Sequence, residues 1–264
     1  MKYSKKLLKY SVTAAALLSV SVSSMGGITK AAEGDQSRPT TAKVTFRAPD
    51  NNKTNVTPPV DPTNPSQKPD DGKLPNPGDK GNTGTNANGP LSIDYAPSFD
   101  FGVGEVTSQS KTYTLNQAKD QNGNLLVPSD QQRPFVQVTD NRGTAAGWSL
   151  NAKIDNFQFS NGDAGKAAKT LQGATVSIAG LGENGGIQGA YGNTTTAPQG
   201  KTGDIQLSND SQNLINAVSG TGTGAWIQKY DPSKVTLTVP GNQALIDTAY
   251  TANITWTLST SPVQ

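Results

Sequence analysis

The sequence predicts an all-β domain, a sandwich or barrel of many short strands with long loops and a proline-rich excursion. Short runs alternate apolar and polar residues at the two-residue period of a strand. Gly and Pro, 28 and 17 of 264 residues, punctuate those runs too often for helices. Thr, Ser, Asn and Val stand where helix formers would be needed. Only 112–119 and 210–218 read as helices, both short.

Residues 1–32 read as a secretory signal peptide and lie outside the fold. Lys2, Lys5, Lys6 and Lys9 precede a short apolar run, and small residues lead to Ala31 and Ala32. A charged start, an apolar middle and a small-residue exit are what export machinery recognises. The run is too short and serine-rich for a spanning helix, so the exported chain is expected not to insert in a membrane. Export also changes the charge: the whole chain is +2, but 1–32 hold five Lys and no acid, leaving −3 in the remainder. That balance argues against nucleic acid or an anionic membrane as partner.

Residues 33–90 form the second region. Ala42, Val44 and Phe46 share one face of an alternating run, which predicts a strand over 41–46. Residues 47–90 then carry nine prolines. Pro removes a backbone donor and fixes φ, so this segment is expected as a disordered, solvated excursion without ladder or helix.

Residues 91–264 form the third region, the β domain. Strands are predicted at 91–95, 111–115, 133–139, 147–154, 174–178, 203–207, 234–239 and 250–259. The turn residues DNRG (140–143) predict a hairpin pairing 133–139 with 147–154.

Absent residues exclude much chemistry. Without His and Cys there is no Ser-His-Asp or Cys-His nucleophile, no His-ligated zinc, no disulfide framework and no lipidated Cys. A carboxylate pair would be the remaining acid–base device, but Asp94, Asp100, Glu105, Asp140 and Glu183 show no pairing spacing. Asp140 is explained by its turn and Asp94 by the exposed side of a strand. GLGENG (180–185) matches a dinucleotide fingerprint, yet more glycine-rich loop follows it where a helix is required. DQNGN (120–124) starts like a calcium loop but lacks Gly at position six and carries Gln131 where the bidentate Glu belongs. No catalytic residue, metal site or cofactor is expected, and the protein is read as a non-enzyme.

Two alternating runs stand apart, AGWSLNA (146–152) and ITWTLS (254–259). Each places a Trp and a Leu two residues apart on its apolar face: Trp148 with Leu150, and Trp256 with Leu258. Two readings stand. Both Trp side chains fill a core, each burying ~150–250 Å², or they form an aromatic surface that grips a sugar polymer or a protein.

The blocks around these triplets resemble the WxL-domain surface proteins of Gram-positive bacteria. LSIDYAPSFDFG (91–102), RPFVQVTDNRGTAAGWSLNA (133–152), AYGNTTTAP (190–198) and VPGNQALIDTAYTANITWTLSTSP (239–262) are similar to that domain's blocks, in order. TTAKVTFRAPDNN (40–52) and PVDPTNP (59–65) resemble the family's opening. The resemblance implies an extracytoplasmic protein of the short class that attaches noncovalently to the cell wall, with peptidoglycan or another wall polymer as partner. It also implies assembly with other surface proteins. The residues carried over are Trp148, Leu150, Trp256 and Leu258, as candidate contacts that core packing would equally explain. The sequence ends STSPVQ, without a sorting motif, apolar tail or basic anchor, which fits the expectation of noncovalent retention. The alternative is an adhesin for host matrix, or a subunit that meets the wall only through a membrane-attached partner.

Overall fold

The computed structural model describes residues 41–49, 56–128, 131–159, 170–245 and 248–263. The chain divides into a unit of residues 1–45 and a unit of residues 46–264. The proposed signal segment, 1–32, lies outside the described residues. The strand expected at 41–46 is not formed: these residues are irregular, with Val44 71% and Phe46 87% exposed. Alternation names the face a strand would bury, but a lone strand has no ladder partner to hold it.

Among the described residues of the second unit there are fourteen strands. The first seven are β1 (Leu91–Tyr95), β2 (Lys111–Thr114), β3 (Phe135–Asp140), β4 (Trp148–Ile154), β5 (Gln158–Phe159), β6 (Thr175–Ala179) and β7 (Ile187–Gly189). The others are β8 (Gln199–Gly200), β9 (Asp204–Leu207), β10 (Gln212–Ala217), β11 (Gly224–Lys229), β12 (Thr236–Val239), β13 (Tyr250–Thr251) and β14 (Ile254–Ser259). They build three four-stranded antiparallel sheets, in the orders β1-β3-β11-β7, β14-β4-β10-β8 and β2-β12-β6-β9, and a ribbon of β13 with β5. None of them closes on itself, so the architecture is sandwich-like and not a barrel. One core runs between the sheets, with Val136 and Val138 from β3, Trp148 and Leu150 from β4, Ile178 from β6 and Leu214 from β10.

The expected hairpin gives way to a crossing between sheets. β3 pairs with β1 and β11, whereas β4 pairs with β10 and β14. The local turn chemistry does operate. Arg142 donates from its backbone N (3.0 Å) and Nε (2.9 Å) to Asp140 Oδ1, and from Nη2 (2.8 Å) to Asp140 Oδ2. Gly147 then sits at φ +83°, where a Cβ would collide with the Ala217 carbonyl, and the chain enters the second sheet. The two expected helices are also replaced. Residues 111–114 are β2, running into a 3₁₀ turn at Leu115–Gln117, and Gln212–Ala217 is β10. Both stretches are weak helix formers, and sheet partners on either side of β10 override that preference.

The proline-rich segment differs most from expectation. Residues 58–85 lie as a strap over the outer face of the sheet holding β3, and every residue of β3 is buried as a result. Val136 and Val138 face the shared core, while Phe135 belongs to a second cluster with Val60, Tyr95, Ala190 and Ile227. Prolines cannot donate to a ladder, so side chains hold the strap together with two backbone bonds, from the Tyr191 N–H to the Pro65 carbonyl (2.7 Å) and from the Thr85 N–H to the Asp94 carbonyl (2.9 Å). Gln137 accepts from the Val60 N–H (2.9 Å) and donates to the Pro58 carbonyl (3.0 Å). Asp79 accepts from the Tyr95 hydroxyl (2.8 Å) and the Ser98 N–H (2.9 Å), and Asn76 Oδ1 accepts from the Arg133 N–H (3.0 Å). The structural boundary therefore falls before the strap, and residue 90 does not mark it.

Candidate functional site

Trp148, Leu150, Trp256 and Leu258 lie on one face of one sheet. In the β4–β14 ladder Leu258 stands opposite Leu150, and Trp256 opposite Ala152. Paired residues share a face, and here that face is the core. Trp148 and Leu150 are fully buried, and the Trp148 indole donates to the Gly222 carbonyl at 2.9 Å. Trp256 and Leu258 are half-buried because β14 is the edge strand of its sheet. The Trp256 ring centroid lies 6.4 Å from that of Tyr230, tilted by 42°. The four side chains thus form one packed seam rather than an exposed aromatic platform.

Asp94 is not on the exposed side of its strand. It is 2% exposed, and it accepts hydrogen bonds from Ser92 (2.7 Å), Gln137 (3.0 Å) and Thr139 (2.6 Å). Burial pushes its carboxyl up to about 6, and the three donors hold it from rising further. The strap and the sheet enclose it, so Asp94 is a structural group tied to strap attachment. Burial, and then the Asp94 charge, pushes the Tyr191 hydroxyl up to about 12.

The two false motifs are loops. GLGENG runs into a 3₁₀ turn at Glu183–Gly186, with Asn184 and Gly185 at positive φ, and offers no helix N-terminus. In DQNGN the Asp120 carboxylate accepts from the backbone N–H of Asn122 (2.8 Å) and Asn124 (2.9 Å), closing its own turn. Those bonds hold it below the usual carboxylate range. No group of three His, Cys, Asp or Glu able to hold a metal is present among the described residues. No helix there is long and apolar enough to cross a membrane.

Two shallow hollows stand out among the described residues. One, about 360 Å³, is an open trough where β4 and β14 run out, lined by Asp155, Asn156, Gln158, Asn209, Thr251 and Asn253. The other, about 290 Å³, lies where the strap meets the domain. The strap supplies Asn76, Gly78, Asp79 and Lys80 as one wall. Phe99 and Asp100 stand on a second side, and Leu115, Leu126, Val127 and Gln132 complete it. Both volumes are near the lower end of the ~300–1,000 Å³ typical of small-ligand sites. Only the second combines an aromatic ring, an aliphatic wall and charged groups. Sequence reading missed it because its three walls lie 15 or more residues apart along the chain. The one available signal was that Phe99 sits in one family-like block and Gln132 adjoins another.

A family model described as "WxL domain surface cell wall-binding" matches residues 33–262. That span takes in the strap, the irregular residues before it and all fourteen strands. No curated protein and no solved structure matches the chain.

Proposed function

The chain belongs to the WxL family of surface cell wall-binding domains, and from that premise we propose that it attaches noncovalently to peptidoglycan and performs no catalytic step. Cell-surface, wall-attached localisation follows from the family; the glycan as ligand and the noncovalent mode are the proposal. The family match over nearly the whole chain carries this reading. The W-x-L seam, fully buried at Trp148 and Leu150 and half-buried at Trp256 and Leu258, supports it as scaffold. Export by a signal at 1–32 is part of the same reading.

The test is sedimentation of the chain from residue 33 onward with purified peptidoglycan. Co-sedimentation that guanidinium reverses, with no soluble muropeptides released, is the expected result. Protein left in the supernatant removes the reading.

One observation favours a second reading, in which protein partners help to hold the chain at the surface. β14 ends its sheet, pairing on one side with β4 and, among the described residues, with no strand on the other, and an open edge can accept a strand from another chain. Retention on whole cells but not on bare peptidoglycan would select this reading.

A further inference from the structure

We infer that the open edge of β14 is a docking site for residues 41–46 of a second copy of this chain, which add to the sheet as a fifth strand. The inference does not need the wall ligand. It deepens the second reading above, which rests on the same edge, by naming the strand that reading leaves unspecified.

The acceptor is singled out among the six edge strands of the three four-stranded sheets. An exposed edge invites pairing, and shortness, charge or a covering segment blunts it. β7 and β8 have three and two residues. β2 and β9 have four each and carry Lys111 and Asp204. β1 is covered by the strap, whose Thr85 N–H donates to the Asp94 carbonyl at 2.9 Å. β14 has none of these devices: it is six residues long, without a charge and without Pro. Its ladder to β4 uses one side of the strand, and among the described residues no other backbone bond engages 254–259. Every second residue therefore turns its N–H and C=O outward. Along the same edge the apolar face is unfinished. Ile254, Trp256 and Leu258 pack against the core and are only half-buried.

The donor has the complementary fault. TAKVTF (41–46) alternates as a strand does, with Ala42, Val44 and Phe46 on one side and Thr41, Lys43 and Thr45 on the other. It is rich in β-branched and aromatic residues, and Pro39 and Pro49 bracket it. Among the described residues no strand pairs with it, and Val44 and Phe46 stand 71% and 87% exposed. The single chain thus carries a six-residue strand former without a sheet and a six-residue edge without a strand. A second copy supplies each with the other. Neighbours in a ladder share a face, so pairing sets Ala42, Val44 and Phe46 beside Ile254, Trp256 and Leu258. Thr41 and Thr45 then join Thr255 and Thr257 on the polar face. Donor and acceptor are different surfaces, so the contact is heterologous and each added copy presents an edge to the next.

The test is sedimentation velocity of the chain from residue 33 at rising concentration, beside the double variant Val44→Lys, Phe46→Asp. Both positions are exposed, so the variant should keep the fold, which thermal melts check. The expected result is an average mass that rises with concentration in the parent and stays at one chain in the variant. A synthetic peptide of residues 39–48, titrated into the isotope-labelled variant, should shift the amides of 254–259 most. The same peptide with Phe46→Asp should bind at least ~10-fold more weakly, because one large apolar contact is lost. A parent that stays monomeric to ~1 mM, or peptide shifts centred on another edge, overturns the inference. A monomeric parent whose 254–259 amides exchange more slowly than the variant's assigns the edge to the chain's own segment, and also overturns it. Monomers that still sediment with peptidoglycan remove the inference and leave wall binding standing. Self-association without that sedimentation removes the glycan and leaves the inference.

Discussion

The indole of Trp148 donates its Nε1 hydrogen to the carbonyl of Gly222 at 2.9 Å, joining β4 to the loop before β11. Gly222 lies at φ +75°, and a Cβ there would press on the Trp148 ring. The first W of the motif is thus locked by a glycine 74 residues away. Trp148→Ala should lose ~3–5 kcal/mol of stability through the cavity it leaves. Trp256→Ala, at a half-buried edge, should lose less. Urea unfolding of the two variants measures the difference, and equal losses would contradict the seam described above.

Gly222→Ala should destabilise by more than 1 kcal/mol, because it combines strain at positive φ with a clash against the indole. The readout is the melting temperature together with the Trp148 indole N–H resonance, which should shift as the bond to residue 222 loosens.

Gln137→Ala should release the strap without unfolding the core. The amide of Gln137 holds Val60 and Pro58 of the strap and also donates to Asp94. Its loss leaves buried groups unpaired, at roughly 1–3 kcal/mol each. Limited proteolysis should then cut within 60–80 before it cuts the strands, and hydrogen exchange at Val60 should accelerate.

Asp94 makes stability depend on pH. Its carboxyl is raised to about 6 in the fold, against ~3.9 unfolded, so the native state binds the proton more tightly. Its contribution is full below about pH 4 and is lost as pH rises through about 6, by an amount on the order of 2–3 kcal/mol. Urea unfolding at stepped pH should show that decline in the parent chain and a flatter profile in Asp94→Asn.

Arg142→Ala should cost on the order of 3 kcal/mol, since it strands the buried Asp140 carboxylate. Arg142 also donates to the carbonyls of Gly147 (2.6 Å) and Thr260 (3.3 Å). The same variant should therefore speed hydrogen exchange at the end of β14.

Local chemistry was legible in the sequence wherever it was periodic. LSIDY, GWSLNAKI and NITWTLS alternate cleanly and form β1, β4 and β14. β11 was hidden, although it is central and carries the buried Trp226, Ile227 and Gln228. It is buried on both faces, so its pattern does not alternate, and GTGTG ahead of it reads as loop. The strap was hidden for a different reason. Composition says that prolines cannot enter a ladder, but it cannot say that Gln137 and Asp79 will hold them by side chains. The same non-local contacts built the hollow, so Gln132 and Phe99 gave no signal as a pair, and Asp94 looked exposed.

The seam between β4 and β14 joins residues 149–154 to residues 254–259, and the sheet under the strap joins β3 to β11. Nearly every sheet thus waits for sequence far downstream, and such non-local pairing is slow to form. A chain emerging from its amino terminus therefore cannot complete this core until the residues of β14 have been made. The W-x-L pairing acts as a latch, closing the molecule only when its last strand arrives.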